Sequence, residues 1–252
     1  MPGWMQAGGW GLLAGSSLLI GALVGFFVNV PRRLVAAVMA FGAGVLISAV
    51  SFELVADAHE RAGLPPVVLG AVAGALVYTS CNALLARRGA RHRKRSTGQP
   101  AEDDAGGSGT AIALGALLDG VPESVVIGAS LLAAAGGEAG VSIATVAAVF
   151  ISNVPEGLSS AAGMKRARRT PGYVFGLWGG IALVSGAAAV VGFALPGGVG
   201  AAGLAGIMAF AAGAMLAMIA DTMIPEAFDD ARLYTGLVTV LGFLIAFAFS
   251  SR

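Results

Sequence analysis

Residues 170–220 run for 51 positions without a single Asp, Glu, Lys or Arg. A helix crosses the hydrocarbon core of a bilayer with about 20 apolar residues, so this run holds two crossings. Leu195-Pro196-Gly197-Gly198 marks the turn between them. Uncharged runs at 1–31, 34–52, 62–86 and 233–251 each fit one more. Two further apolar stretches, near 110–135 and 139–164, are interrupted by only a few carboxylates. The chain is therefore expected to be an all-α integral membrane protein with eight transmembrane helices. They are expected near 9–30, 34–53, 65–86, 110–135, 139–164, 172–194, 203–224 and 234–250. A signal peptide opens with a basic region. Here the first basic residue is Arg32, after the apolar run, so the first helix is expected to be a permanent span.

Composition agrees with this reading. Charged residues are 12% of the chain, mean hydropathy is +0.84, and a soluble domain carries about 25% charge. That excludes a disordered chain and an ordinary soluble enzyme. The 39 glycines have no triplet period, so they suit membrane helices whose backbones approach closely. Cys81 is the only cysteine. It excludes an intrachain disulfide or a thiolate metal cluster and is expected to be a small buried residue.

Positive charge orients the spans. With both termini outside, the inner loops hold Arg32 and Arg33, then Arg87, Arg88, Arg91, Arg93, Lys94 and Arg95. Lys165, Arg166, Arg168, Arg169 and Arg232 complete the set, leaving Arg61 and Arg252 outside. One long hydrophilic segment, 87–109, splits the chain into three spans and five, and reads as a flexible cytoplasmic loop. Its basic block is read as an orientation signal and not as a nucleic-acid surface, since no aromatics interleave the charges.

A carboxylate at the bilayer centre costs at least about 2.5–3.5 kcal/mol, so one placed there points to function. The fourth span reads Asp119-Gly120-Val121-Pro122-Glu123-Ser124 and the fifth Ser152-Asn153-Val154-Pro155-Glu156-Gly157. These are two copies of a V-P-E pattern, 33 residues apart. Asp119 and Glu123 share a helix face, as do Ser152 and Glu156. The two spans are expected to be antiparallel neighbours joined by Gly136-Gly137-Glu138-Ala139-Gly140. Facing helices would then bring Asp119, Glu123, Ser152, Asn153 and Glu156 into one mid-membrane cavity. Pro122 and Pro155 would free the carbonyls of Leu118 and Ile151, adding oxygen ligands for a cation. The alternative is two kinked helices whose carboxylates are simply packed and protonated; building so costly an arrangement twice argues against it.

Other acidic residues lie nearer the span ends. Glu53 and Asp57, with His59 and Glu60 beyond, read either as a solvated helix end or as an outer mouth for a cation. Asp221 and Glu226 flank Pro225, with Asp229 and Asp230 following. They read either as a release vestibule or as an ordinary polar loop. His92, in the basic block, reads as solvated.

On these residues the chain resembles the ZIP (Zrt/Irt-like) family of divalent-metal transporters. The resemblance covers nearly the whole chain in topology and is most specific in Asp119–Ser124, Ser152–Gly157 and the segment from Ala211 to Glu226. It implies a metal site at mid-membrane with Glu123 and Glu156 as the motif glutamates. It also implies a rocking or elevator-like motion of the helix block that carries spans 4 and 5. Asp119 stands where the family usually has histidine, Gly120 where it has asparagine, Ser152 where His or Gln is usual, and Asp221-Thr222 where His-Glu is expected. The site would then be all oxygen, which gives weight to manganese and ferrous iron beside zinc and suggests that a second metal position is weakened or absent.

The expected function is transport of zinc, manganese or ferrous iron toward the cytoplasm, in the cell membrane. No ATP is expected to be used, since no phosphate-binding G-x-x-x-x-G-K-[ST] loop occurs. No enzyme activity and no permanently bound cofactor are expected; the divalent cation is substrate and the lipid bilayer the other partner, with a homodimer left open. Two alternatives stand beside this. One is a ZIP-like cation sensor or scaffold that does not transport. The other is an intramembrane aspartyl hydrolase using Asp119 and Asp221, which would leave the duplicated Pro-Glu unexplained.

Overall fold

The structure, a computed structural model, describes residues 1–90, 108–135, 143–231 and 233–250. Positions 91–107 of the expected loop, with His92, and the expected 136–140 turn lie outside the described residues. Among the described residues every regular element is helical. They form α1 (Gly3–Phe27), α2 (Arg32–Ala62), α3 (Leu64–Leu85, continued by Ala86–Ala90) and α4 (Ser108–Ala135). The second half supplies α5 (Ile143–Arg166), α6 (Pro171–Ala194), α7 (Ala201–Met218, Ile219–Met223 and Ile224–Ala231) and α8 (Thr235–Ser250).

Local chemistry sets the breaks. Val28 is extended after α1, and Pro31 caps α2 at its N-terminus. Gly63 takes φ +75°, a conformation open to glycine, and turns α2 into α3. Thr170 caps α6 by accepting the Tyr173 N–H at 3.3 Å, and Pro171 takes the first helical position, where its missing N–H costs nothing. The expected break at Leu195-Pro196-Gly197-Gly198 is a single 3₁₀ turn. Two ends differ from expectation. The second span was expected to stop near 53, yet α2 runs to Ala62, because a helix emerging from the membrane can continue on its polar face. Positions 87–90, expected in the flexible loop, prolong α3 within the turn Ala86–Ala90.

Among the described residues, six helices are long and apolar enough to cross a membrane: α1, α2, α3, α6, α7 and, over Ala113–Leu131, α4. α8 is apolar but shorter. α5 lacks so apolar a window, with Ser152, Asn153, Glu156, Ser159 and Ser160 along it. Large apolar side chains such as Leu69, Leu76, Leu183, Leu237 and Phe249 face outward. In water such a surface would aggregate; in lipid it is the solvent-facing side. The protein is a multi-pass membrane protein.

Helices pair through glycine. A Cβ at Gly21 would land on the Val154 carbonyl and one at Gly157 on that of Leu18, so α1 and α5 touch backbone to backbone. The same reciprocity joins α2 to α8 (Gly44 and Gly242), α3 to α7 (Gly74 and Gly213) and α4 to α6 (Gly128 and Gly192). Each helix thus enters one reciprocal pair, the close approach that small residues permit.

The pairs assemble into two groups. α1, α4, α5 and α6 share cores around Leu18, Met164, Trp178 and Ile181 and around Ile127 and Val149. α2, α3, α7 and α8 surround a separate core of Met39, Leu46, Tyr78, Met208, Met215 and Met218. The seam runs where α5 meets α2 and where α4 meets α3 and α7. The expected face-to-face packing of spans 4 and 5 does not occur: α4 and α5 touch little, because α4 locks onto α6 and α5 onto α1.

Candidate functional site

Asp119 and Glu156 are both buried, about halfway along their helices. At ~1.5 Å per residue, Asp119 lies about 17 Å from the start of α4, and Glu156 about 15 Å from the end of α5. Pro122 and Pro155 stay inside continuous helix, so neither ends its element.

Asp119, Asn153, Glu156 and Ser160 line one cavity of about 10 Å³, closed by Leu18, Ala116, Gly120 and Trp178. That is close to the ~10–15 Å³ needed to seat one water. All four helices of the first group contribute to it, although α4 and α5 barely touch. The cavity is built through α1 and α6. The Asn153 Nδ2 donates to the Ala14 carbonyl of α1 at 3.1 Å, which leaves Oδ1 as the acceptor of that side chain. Trp178 Nε1, also buried, has no hydrogen-bond partner among the described residues. A buried donor left unmet is costly.

Two of the expected site residues, Glu123 and Ser152, are not among the described residues lining this cavity. Glu123 is buried one turn beyond Asp119 and is not among the described residues lining the cavity. Val126, three residues on, packs into the core of the second group, and Ile127, four on, into that of the first. Ser152 donates to the Val149 carbonyl of its own helix at 2.9 Å. Around this cavity stand two carboxylates, an amide and a hydroxyl, with Glu123 buried one turn along the helix from Asp119. Among the described residues no three His, Cys, Asp and Glu side chains group as metal ligands.

Polar contacts cross the seam at mid-depth and nearer the ends. Tyr78 of α3 donates to Asp119 Oδ1 at 2.7 Å, and Ser159 of α5 donates to Glu226 Oε1 of α7 at 2.8 Å. Toward the other end, Glu53 of α2 accepts from Thr145 of α5 at 3.5 Å and from Ser250 of α8. Glu53 sits in a widened helical turn over Val50–Val55, and Asp221 in another over Ile219–Met223. Such π turns often mark functional sites in helices. Asp57 is held by Arg61 at 2.8 Å on its own helix. Asp221 is exposed and accepts from Asn82 at 3.3 Å, whereas Glu226 is buried.

Tyr78, Ser160 and Trp178 were not anticipated from sequence. A lone tyrosine or tryptophan inside an apolar run carries no local signal, although each brings a polar atom that must be satisfied at depth. Ser159 and Ser160, three and four residues after Glu156, continue its face and were legible. No protein-family model matches the sequence, and no curated protein matches it.

Proposed function

We propose that this chain is a divalent-cation transporter of the ZIP type, moving zinc, manganese or ferrous iron toward the cytoplasm. The observation that carries the reading is the water-sized cavity at mid-helix, lined by Asp119, Asn153, Glu156 and Ser160 and buried in apolar helices. A bare divalent cation is smaller than a water, and two carboxylates with two neutral oxygens match the hard-donor set that suits manganese and tolerates zinc and ferrous iron. The likeness to the family rests on the duplicated Pro-Glu motif and on Ala211–Glu226.

Eight spans with both termini outside complete the proposal. In support, Lys165 at the end of α5 donates to Asn29 after α1 at 3.2 Å, so two basic loops lie at one end of the bundle. Glu53, Thr145 and Ser250 meet at the other end, where Glu53 would form the outer mouth. Glu226 would lie on the release side. Bound cation must displace any protons the carboxylates hold, so uptake falls as pH drops.

Purified protein in proteoliposomes tests this with a manganese-sensitive dye inside. Flux that Asp119→Ala removes supports the reading; no flux of manganese, zinc or ferrous iron by the wild-type chain overturns it. Reporters fused after Arg95 and at residue 252 should fall on opposite sides of the membrane.

A further inference from the structure

The geometry points to Tyr78 as a positioning residue for Asp119, one that makes the cation site complete only when the two helix groups are in register. The inference rests on the cation-site reading above. Tyr78 is 1% exposed and belongs to α3, in the core of Met39, Met208 and Met215. Asp119 belongs to α4 and lines the cavity of the other group. Their hydrogen bond therefore joins the cavity wall to a side chain that is no part of the group enclosing the cavity.

Three properties make that bond matter. A hydroxyl donating to an ionised carboxylate is short and about twice as strong as a neutral pair, so it fixes the orientation of the Asp119 carboxylate at the cavity edge. A carboxylate that ligates a cation depends on such an outer partner; losing one typically costs 10–100-fold in affinity. And the bond crosses a thinly packed part of the seam. Beside it a groove of about 590 Å³ opens between α3, α4 and α7, lined almost wholly by apolar groups, with Tyr78, Cys81, Leu117, Leu118, Pro122 and Phe210 among them. Cys81, expected to be buried, is half-exposed there.

Any displacement of one group against the other draws Tyr78 away from Asp119. The carboxylate then loses its outer donor while keeping its place in the cavity wall, and its hold on the cation weakens. Capture and release follow from register alone, with no ligand leaving its helix. Conversely, a cation that orders the Asp119 carboxylate favours the docked position of Tyr78, and the access of reagent to Cys81 in the neighbouring groove reports which register the groups hold.

Manganese binding and thiol labelling of the full-length protein in nanodiscs test this together. The variants are Asp119→Asn and Tyr78→Phe, which keeps the ring and removes the hydroxyl. Wild type is expected to bind manganese and Asp119→Asn to lose it. Tyr78→Phe is expected to bind at least tenfold more weakly, with a rate of Cys81 labelling that manganese no longer changes. Wild-type affinity and wild-type labelling in Tyr78→Phe, with binding still lost in Asp119→Asn, would overturn the role of Tyr78 and leave the cation site standing. Absence of manganese binding by the wild type would overturn both. Should Tyr78→Phe fail to fold, labelling of the wild type carries the test: a Cys81 labelling rate that manganese changes supports the role, and equal rates with and without manganese overturn it.

Discussion

The two helix groups are built by the same rule and filled with opposite chemistry. Each consists of two glycine-locked pairs. Yet of the 14 buried polar or charged residues described, 11 lie in α1, α4, α5 and α6, and only Ser48, Glu226 and Thr235 lie in the other group. That second group instead buries Met39, Met208, Met215, Met218 and Met223 completely. Methionine fills irregular space and tolerates change, while a buried carboxylate demands placed partners. One group is a polar container and the other an adaptable apolar wall. What differs is not the backbone architecture but where the cost of burying charge is concentrated.

The comparison breaks most sharply at the cavity. Glu156→Gln is expected to reduce manganese flux in proteoliposomes to background. Met215→Leu, a volume-conserving swap worth less than about 1.5 kcal/mol, should leave flux nearly unchanged. Equal losses from the two would mean that the apolar wall carries chemistry too. Next come the crossings. Gly128→Val in one group and Gly74→Val in the other should each cost about 1–3 kcal/mol or more by overpacking, read as a drop in the thermal midpoint and in the monodisperse yield in detergent. Tolerance of one but not the other would show that the groups are not locked alike.

A finer effect sharpens the container itself. Asp119→His should raise the zinc-to-manganese flux ratio on the order of tenfold, equivalent to about 1.4 kcal/mol, because imidazole suits zinc and carboxylate suits manganese. An unchanged ratio would remove Asp119 from the ligand set. The smallest effect is expected at Asp57. Its pair with Arg61 is about one-third exposed, and exposed pairs contribute about 0–1 kcal/mol. Asp57→Asn should therefore leave both the thermal midpoint and the flux almost unmoved; a large fall in flux would restore Asp57 to the outer mouth.

Helix positions were legible because charge and apolar run length are local quantities. The break after Ala194 and the helix start at Pro171 follow from residues in direct sequence contact. Partnership was not legible. Spans 4 and 5 are neighbours in the chain and carry matching motifs, so facing each other is the natural expectation. They part because Gly128 meets the backbone of α6 and Gly157 that of α1, and a glycine does not announce which distant carbonyl it will meet. The same holds in the site. Asp119, Asn153 and Glu156 were marked by their cost, whereas Tyr78 acquires its role only from a contact 41 residues away in sequence.

The reciprocal glycine crossings also shape how this sequence can change. At an ordinary packed contact, enlarging one side chain can be offset by shrinking its neighbour, and two harmful substitutions together can be harmless. Here the atom that blocks Gly74 is the carbonyl oxygen of Phe210, and the atom that blocks Gly213 is that of Ala71. Every amino acid carries that oxygen. No replacement at 210 can make room for a side chain at 74, and none at 71 for one at 213. These positions admit no second-site suppressor within the contact itself, so sequence variation must flow around them, through the lipid-facing and methionine-filled positions that touch only side chains.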